Sequence, residues 1–446
     1  MFSLGAKAFM SVQKLVVLLS ILIFSCGKEE SQTPPTSGSP STNGPQDVND
    51  FPNPDGTTGP THSLEANTVP SITELRRISQ EEGTVLSYNL QDDDLEVEIH
   101  VFGLLPDSNE YIEITSEWEG DTGKGVSPGE DKTIQWTQPQ DVNYSEIKVV
   151  ANDGRDRSIA HLVSLVSKQR IMNDVREMTG VRHFRGGSAL LSQTRDYLEE
   201  QFKECNLSAN RHSFSWQSTQ GVNIIGTHEG NALESNNLLV TAHYDTIETT
   251  PGSDDNLSGT AGMLEAMRIL SQFEYDESIQ FIGFDLEEVG LVGSRRYVSE
   301  MARNQNIIGV INFEMIGYTC RTEICANLQL ADTAIYNIGN TNSGALRTLF
   351  KETGNAYVPN LKITSVLADM NPNFRRSDHA PFWDAGIPAL FITDGANFRN
   401  PHYHQTTDTF ETIDFEFATN IVKTTVATIA SLAQIKTEGE AAIILD

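Results

Sequence analysis

Hydropathy changes its period twice along the chain, and each regime predicts a different kind of element. Leu15 to Phe24 (LVVLLSILIF) is a continuous apolar run of ten residues behind Lys7 and Lys14. Such a run is too short to span a bilayer comfortably and suits the core of a secretory signal. Residues 31–70 are rich in Ser, Thr, Pro, Gly and Asn and read as a linker. From 71 to 164 apolar and polar positions alternate. Val85-Leu86-Ser87-Tyr88-Asn89-Leu90 and Leu95-Glu96-Val97-Glu98-Ile99-His100-Val101 have the period of two of half-buried strands. Asp92-Asp93-Asp94, Leu105-Pro106-Asp107, Pro128-Gly129-Glu130 and Asn152-Asp153-Gly154 supply the turns between such runs. Short strands at this spacing predict a small antiparallel β-sandwich.

Beyond residue 165 the pattern turns to longer periods. Leu190 to Phe202 is an amphipathic helix, and Leu238-Leu239-Val240-Thr241-Ala242 is a short apolar run of the kind buried on both faces of a sheet. Ser258 to Phe273 reads as a helix with Met263, Ala266, Met267 and Leu270 on one stripe, opened by Asp254-Asp255. Ile279 to Phe284, Ile307 to Phe313 and Ala389 to Ile392 read as strands, and Phe415 to Ala433 as a closing helix. The alternation predicts an α/β domain, a mostly parallel mixed sheet flanked by helices.

Ligands of such sheets bind outside the carboxyl ends of the strands. His243 and Asp245 follow the first apolar run, Glu287 and Glu288 the second, Glu314 the third, and His404 lies in the loop after Ile392. A lone His after a strand is usually structural. Imidazoles and carboxylates converging on one sheet edge point to a metal site instead. Two divalent ions held close together repel, so they need a bridging carboxylate and several anionic ligands. Zinc accepts His nitrogen and carboxylate oxygen, and a catalytic site keeps a position open. No Cys falls among these residues, which disfavours a closed thiolate site. An adjacent Glu-Glu pair can divide its duties, one carboxylate on metal and the other free as a base.

Composition narrows the partners. A chain of 446 residues suggests two or three domains, and 38% apolar residues can build a core. The charge of −30, from 31 basic and 61 acidic residues, argues against a nucleic-acid partner. Between Ala66 and Leu165 stand 20 acidic and 7 basic residues, so the β module reads as a spacer or binding accessory without chemistry of its own. It is of the immunoglobulin or fibronectin kind. Its Asp triplet reads as a solvated turn, since the residues after it lack calcium-loop spacing. Four cysteines exclude a disulfide scaffold. Ile23-Phe24-Ser25-Cys26-Gly27 resembles a bacterial lipobox, with Ile23 in place of the commoner Leu. The resemblance implies a signal peptide over 1–25 and a lipid anchor at Cys26. Lys28-Glu29-Glu30 looks like a lipoprotein surface-export signal, which implies an outer-membrane lipoprotein at the cell surface, with a periplasm-facing alternative. Several acyl chains on one residue anchor stably where one does not. A flexible linker over 31–70, about 40 residues, would reach roughly 35 Å.

His243-Tyr244-Asp245, Ser253-Asp254-Asp255-Asn256-Leu257-Ser258-Gly259 and Glu287-Glu288-Val289-Gly290-Leu291-Val292-Gly293-Ser294 resemble the M28 zinc peptidases. Asn312-Phe313-Glu314-Met315-Ile316-Gly317-Tyr318, Ser377-Asp378-His379-Ala380-Pro381-Phe382 and Pro401-His402-Tyr403-His404 continue the match in the family's order. The resemblance implies a two-zinc site with His243 and Glu314 on one side, Glu288 and His404 on the other, and Asp255 bridging. Glu287 would be the general base and Asp245 would take the second ring N–H of His243. Asp378 would stand behind the ligands, and Tyr403 would be an oxyanion donor. The third ligand is more often Asp in the family; Glu314 is one methylene longer, which puts geometry and affinity at that position in question. His402 is the alternative to His404.

The implied reaction is aminopeptidase hydrolysis of peptides or proteins with free N-termini. A metal-bridging hydroxide would attack the carbonyl, with Glu287 moving the proton. The rival readings are a glutaminyl cyclase-like acyltransferase, which uses one zinc, and a catalytically silent surface binding lipoprotein. The retained His243 and the filled ligand positions favour two metals and hydrolysis. The expected organisation is a signal peptide (1–25), lipidated Cys and linker (26–70), β-sandwich (71–164), peptidase domain (165–437) and tail (438–446). Cys320 and Cys325 stand close enough for a small-loop disulfide, leaving Cys205 as a buried thiol.

Overall fold

The computed structural model describes residues 70–80, 83–92, 96–106, 111–114, 118–136, 144–320, 333–368, 371–436 and 440–445. The signal run, the lipobox with Cys26, the linker to residue 69 and Cys325 lie outside the described residues. Cys320 is disulfide-bonded, and Cys205 is a free, half-buried thiol.

The alternating region forms two antiparallel sheets. β1 (Ser71–Gln80), β2 (Gly83–Gln91), β5 (Trp118–Gly120) and β7 (Gly129–Trp136) make one, in the order β1-β2-β7-β5. The other joins β3 (Val97–Leu104), β4 (Tyr111–Glu113), β6 (Gly123–Val126) and β8 (Glu146–Asn152). Every second residue of β3 is buried, so the period of two in the sequence is the inward face of a sandwich. Leu86, Tyr88, Val101, Ile134 and Val149 fill the space between the sheets.

The expected tail is a strand. β17 (Glu440–Leu445) pairs antiparallel with β8, from Glu440 opposite Asn152 to Leu445 opposite Ile147. Ile443 and Leu445 pack against the sandwich core and Ile444 faces outward. The sandwich is therefore closed by the end of the chain, across the whole intervening domain.

After β8 the chain turns at Gly154 into α1 (Ile159–Leu165), whose Ser158 cap accepts from the His161 N–H. Asp153 and Arg157 form an ion pair at this junction, both side chains fully buried. α2 (Lys168–Met178) and α3 (Ser188–Glu204) follow, then a hairpin of β9 (Ser208–Trp216) and β10 (Thr219–His228). The main sheet continues with β11 (Asn237–His243), β12 (Ser278–Phe284), β13 (Ile307–Phe313), β14 (Ala334–Gly339), β15 (Lys362–Leu367) and β16 (Ala389–Thr393). Its order is β15-β14-β16-β13-β11-β12-β10-β9. β12, β11, β13 and β16 run parallel at the centre, while β10 and β14 join the flanks antiparallel. The sheet is mixed α/β, with parallel strands where the candidate chemistry lies.

Helices α4 (Gly259–Leu270), α5 (Val292–Glu300), α6 (Gly344–Tyr357), α7 (His379–Asp384) and α8 (Phe415–Leu432) flank this sheet. The expected single stripe on α4 is exceeded, because all twelve residues are buried. The helix contacts the sheet as well as α2 and α8. Its two charges are accommodated by pairing. Arg268 donates from both terminal nitrogens to Asp174, and Glu265 accepts from Arg170.

Candidate metal centre

Parallel register brings the candidate residues together. His243 ends β11 opposite Phe284, and Ala242 lies opposite Phe313, so the loops bearing Glu287 and Glu314 open on either side of His243. Leu286 and Met315, beside Glu287 and Glu314, have left-handed backbones (φ of 55° and 53°), as does His404 itself (φ 57°). Non-glycine residues in that region carry strain that the surrounding structure must hold, and such residues gather at functional sites.

Two groups of donor atoms result. His243, Glu287 and Glu314 offer atoms within 4.8 Å of one another, and so do Asp255, Glu288 and His404. Asp255 faces both. Its Oδ1 lies 3.4 Å from His243 Nε2 and its Oδ2 lies 3.2 Å from His404 Nε2. Glu314 Oε2 approaches His243 Nε2 to 3.3 Å, and Glu288 Oε2 approaches His404 Nε2 to 3.1 Å. Both Nε2 atoms are buried and make no hydrogen bond. His402 is turned elsewhere, with its Nδ1 2.8 Å from Thr407 Oγ1.

The surroundings fix each side chain. His243 Nδ1 donates to the backbone carbonyl of Asp245 at 3.2 Å, while the Asp245 carboxylate stands at 3.4 Å. The Asp245 carbonyl thus fixes a proton on Nδ1, and Nε2 faces the carboxylates of Asp255 and Glu314. The carboxylate expected to serve His243 alone has a further task, accepting the Glu287 N–H at 3.1 Å and the Glu288 N–H at 3.3 Å. Glu314 accepts from Ser377 Oγ at 2.6 Å; Ser377 accepts from Asn312 Nδ2, and Asn312 accepts from Thr241 Oγ1. Asp255 lies in a π-helical turn (Ser253–Ser258) and precedes Asn256 through a cis peptide. Asp408 accepts the backbone N–H groups of both Asp254 and Asp255. Asp378 is buried and accepts from Ser294 Oγ. The Tyr403 ring stacks on His404 with centroids 3.8 Å apart, and its hydroxyl accepts from Arg376 at 3.1 Å.

The proton affinities describe a site with surplus negative charge. Burial alone would lower His243, but Glu314 and Glu287 carry it well above the ordinary imidazole range. His404 is opposed by burial and raised to about 10 by Asp255 and Glu288. Burial lifts Glu287 well above the usual carboxylate range and lifts Glu288 to about 7. Asp255 is held low by the two imidazoles in spite of its burial. Two buried, unbonded ring nitrogens among hard carboxylate oxygens match zinc's donor preference.

Sequence reasoning missed Asp408, Ser377 and the backbone-holding role of Asp245. The last two stand inside motifs visible in the sequence, whereas Asp408 and its place under Asp255 have no signal in spacing.

Residues 223–429 match the family profile of peptidase family M28, a span containing every candidate site residue from His243 to His404. The chain is 31% identical over 226 residues to Aminopeptidase YwaD of Bacillus subtilis, covering 48% of this chain and 45% of that one. It thus spans less than half the length of that relative. It is 26% identical over 352 residues to Leucine aminopeptidase 1 of Ajellomyces capsulatus, covering 74% of this chain and 84% of that one. Among solved structures, the LapA aminopeptidase of Legionella pneumophila superposes with a TM-score of 0.53 at 21% identity, over 62% of this chain and 74% of that chain. The aminopeptidase of Aneurinibacillus sp. strain AM-1 gives 0.51 at 16% identity, over 62% and 96%. These likenesses show the zinc aminopeptidase fold.

Proposed function

We propose, from the resemblance of residues 223–429 to peptidase family M28, that this chain is a two-zinc aminopeptidase cleaving N-terminal residues from peptides. The observation that carries the reading is the shared Asp255, with one carboxylate oxygen 3.4 Å from His243 Nε2 and the other 3.2 Å from His404 Nε2. His243 and Glu314 would hold one ion, Glu288 and His404 the other, and Asp255 both. Zinc bound there would polarise the scissile carbonyl and acidify a water.

The chain's own groups do the rest. Glu287 also lies within reach of the first group; we assign it as the base because a carboxyl raised by burial can take a proton from water and return it to the leaving amine. Asp245 holds the Glu287-Glu288 backbone, so base and ligand keep their relative orientation. Tyr403, whose hydroxyl already accepts from Arg376, retains its own O–H to donate to a developing oxyanion. Export and lipid anchoring at Cys26 complete the proposal, which places the enzyme on the outer membrane facing peptide substrates.

Glu287→Ala tests the assignment. The variant should fold and keep zinc while losing about 10²–10⁴-fold in kcat on aminoacyl substrates. Hydrolysis at the wild-type rate would remove Glu287 from the mechanism.

A further inference from the structure

Arg182 lies in the loop between α2 and α3 and is entirely buried. Among the described residues its guanidinium bonds to backbone carbonyls alone. Nε donates to Tyr244 O at 2.7 Å; Nη1 donates to Met178, Gly180 and Pro251 O at 3.1, 2.6 and 2.8 Å; Nη2 donates to Gly252 O at 2.9 Å. Its backbone is doubly tied to Thr246, since Arg182 N donates to Thr246 Oγ1 at 3.0 Å and Arg182 O accepts from Thr246 N at 3.1 Å. One residue therefore clamps both ends of the single connection between β11 and the π-helical turn. At its start stand Tyr244, Asp245 and Thr246, directly after His243. At its end is the turn Pro251-Gly252, just ahead of Asp255. That turn is pressed against the guanidinium. Gly252 has φ +64°, and a Cβ there would meet Arg182 Nη2 at 2.9 Å and Asp255 O at 2.4 Å.

A buried charge without an ion-pair partner is costly unless its field serves something. Burial draws Arg182 down to about 10, still cationic at neutral pH, and the carboxylates that pull it back are Asp245, Asp408, Asp255 and Glu288. Three of these are candidate site residues and the fourth holds the Asp255 backbone. The buried Arg268 offers the contrast, because it is paired directly with Asp174. A guanidinium supplies five N–H donors in a planar fork, which an ammonium cannot reproduce.

We infer that Arg182 is a positioning residue of the metal centre, fixing the spacing of His243 and Asp255 by clamping both ends of the connection between them. The inference rests on the proposed zinc reading of those residues.

The test compares zinc dissociation constants, from competition with a chromogenic chelator, for the wild type, Arg182→Lys, Thr246→Val and Arg268→Met. Arg182→Lys keeps the charge and loses the fork; Thr246→Val keeps Arg182 and removes one tie. Arg182→Lys should weaken zinc by about 10–100-fold, and Thr246→Val should shift it in the same direction by a smaller factor. At saturating zinc, kcat on an aminoacyl p-nitroanilide should fall with KM nearly unchanged. Arg268→Met should lower the unfolding temperature and leave zinc affinity in place. Should Arg182→Lys fail to fold, Thr246→Val decides. Zinc affinities within about twofold of wild type in both clamp variants, with unfolding temperatures lowered as in Arg268→Met, would overturn the inference. A wild-type chain that takes up no zinc would overturn the metal centre itself.

Discussion

Glu314→Asp is the perturbation with the most calculable outcome. Glu314 Oε2 stands 3.3 Å from His243 Nε2 and accepts from Ser377 Oγ at 2.6 Å. Removing one methylene withdraws the carboxylate by about 1.5 Å, one C–C bond. The Ser377 contact then opens to about 4 Å, beyond hydrogen-bond range. Ser377 is fully buried, and its hydroxyl loses a charged acceptor, a loss of about 2 kcal/mol. For a domain of this size that corresponds to an unfolding temperature lower by about 4–8 °C in the metal-free protein. Zinc at the His243 position should weaken by about tenfold or more, since each 1.4 kcal/mol is one decade. The Asp255, Glu288 and His404 group should be unaffected. Calorimetry of metal-free protein and zinc titration against a chelator give both numbers. Ser377→Ala supplies the double-mutant control, in which shortening Glu314 should cost little stability. Unchanged melting and two unweakened zinc ions in Glu314→Asp would refute the reasoning, and would mean that the longer Glu is incidental.

Two further outcomes concern features away from the donor atoms. His379 donates from Nε2 to Phe374 O, stacks on Phe391, and leaves Nδ1 buried without a partner; burial lowers it to about 3. The folded pKa lies below the unfolded value, so its contribution is complete above about pH 6.5 and declines as the pH falls. At pH 5 the loss should be about 2 kcal/mol in metal-free protein, and His379→Asn should show a correspondingly flatter acid limb in denaturant titrations; an equal slope would exclude His379 as the source. Deleting residues 440–446 leaves β8 paired with β3 alone and exposes its other edge from Ile147 to Asn152. Calorimetry should then show an early transition from the sandwich while aminoacyl hydrolysis persists, whereas an unaltered single transition would show that β17 contributes nothing.

The sheet and the donor set were largely legible in the sequence, because both depend on local periodicity and on the residues at the carboxyl end of each strand. Leu238 to Ala242 could hardly be anything but an interior strand, and His243 had to emerge at its carboxyl end. The β9–β10 hairpin was less visible. Ser208 to Trp216 is mostly polar, and five of its nine residues face water. The tail became a strand because β8 offered an open edge, which no local pattern at residues 440–445 announces. The same reason hid Arg182 and Asp408. Each acts through the backbone of residues distant in sequence, and a bond to a carbonyl or an N–H leaves no mark on the side chains at the other end. Asp245 was visible as a partner of His243, but its hold on the Glu287 and Glu288 amides needed the β11–β12 register to be seen.

In the proposed site Asp255 is shared between two zinc ions. Metal analysis of purified wild-type chain and Asp255→Ala after dialysis against trace free zinc tests it most directly. Two zinc per wild-type chain, with loss of both tight sites and of aminoacyl hydrolysis in the variant, is the predicted result. A fully active wild-type chain carrying one zinc, or an Asp255→Ala chain that keeps one ion at undiminished affinity, would contradict it.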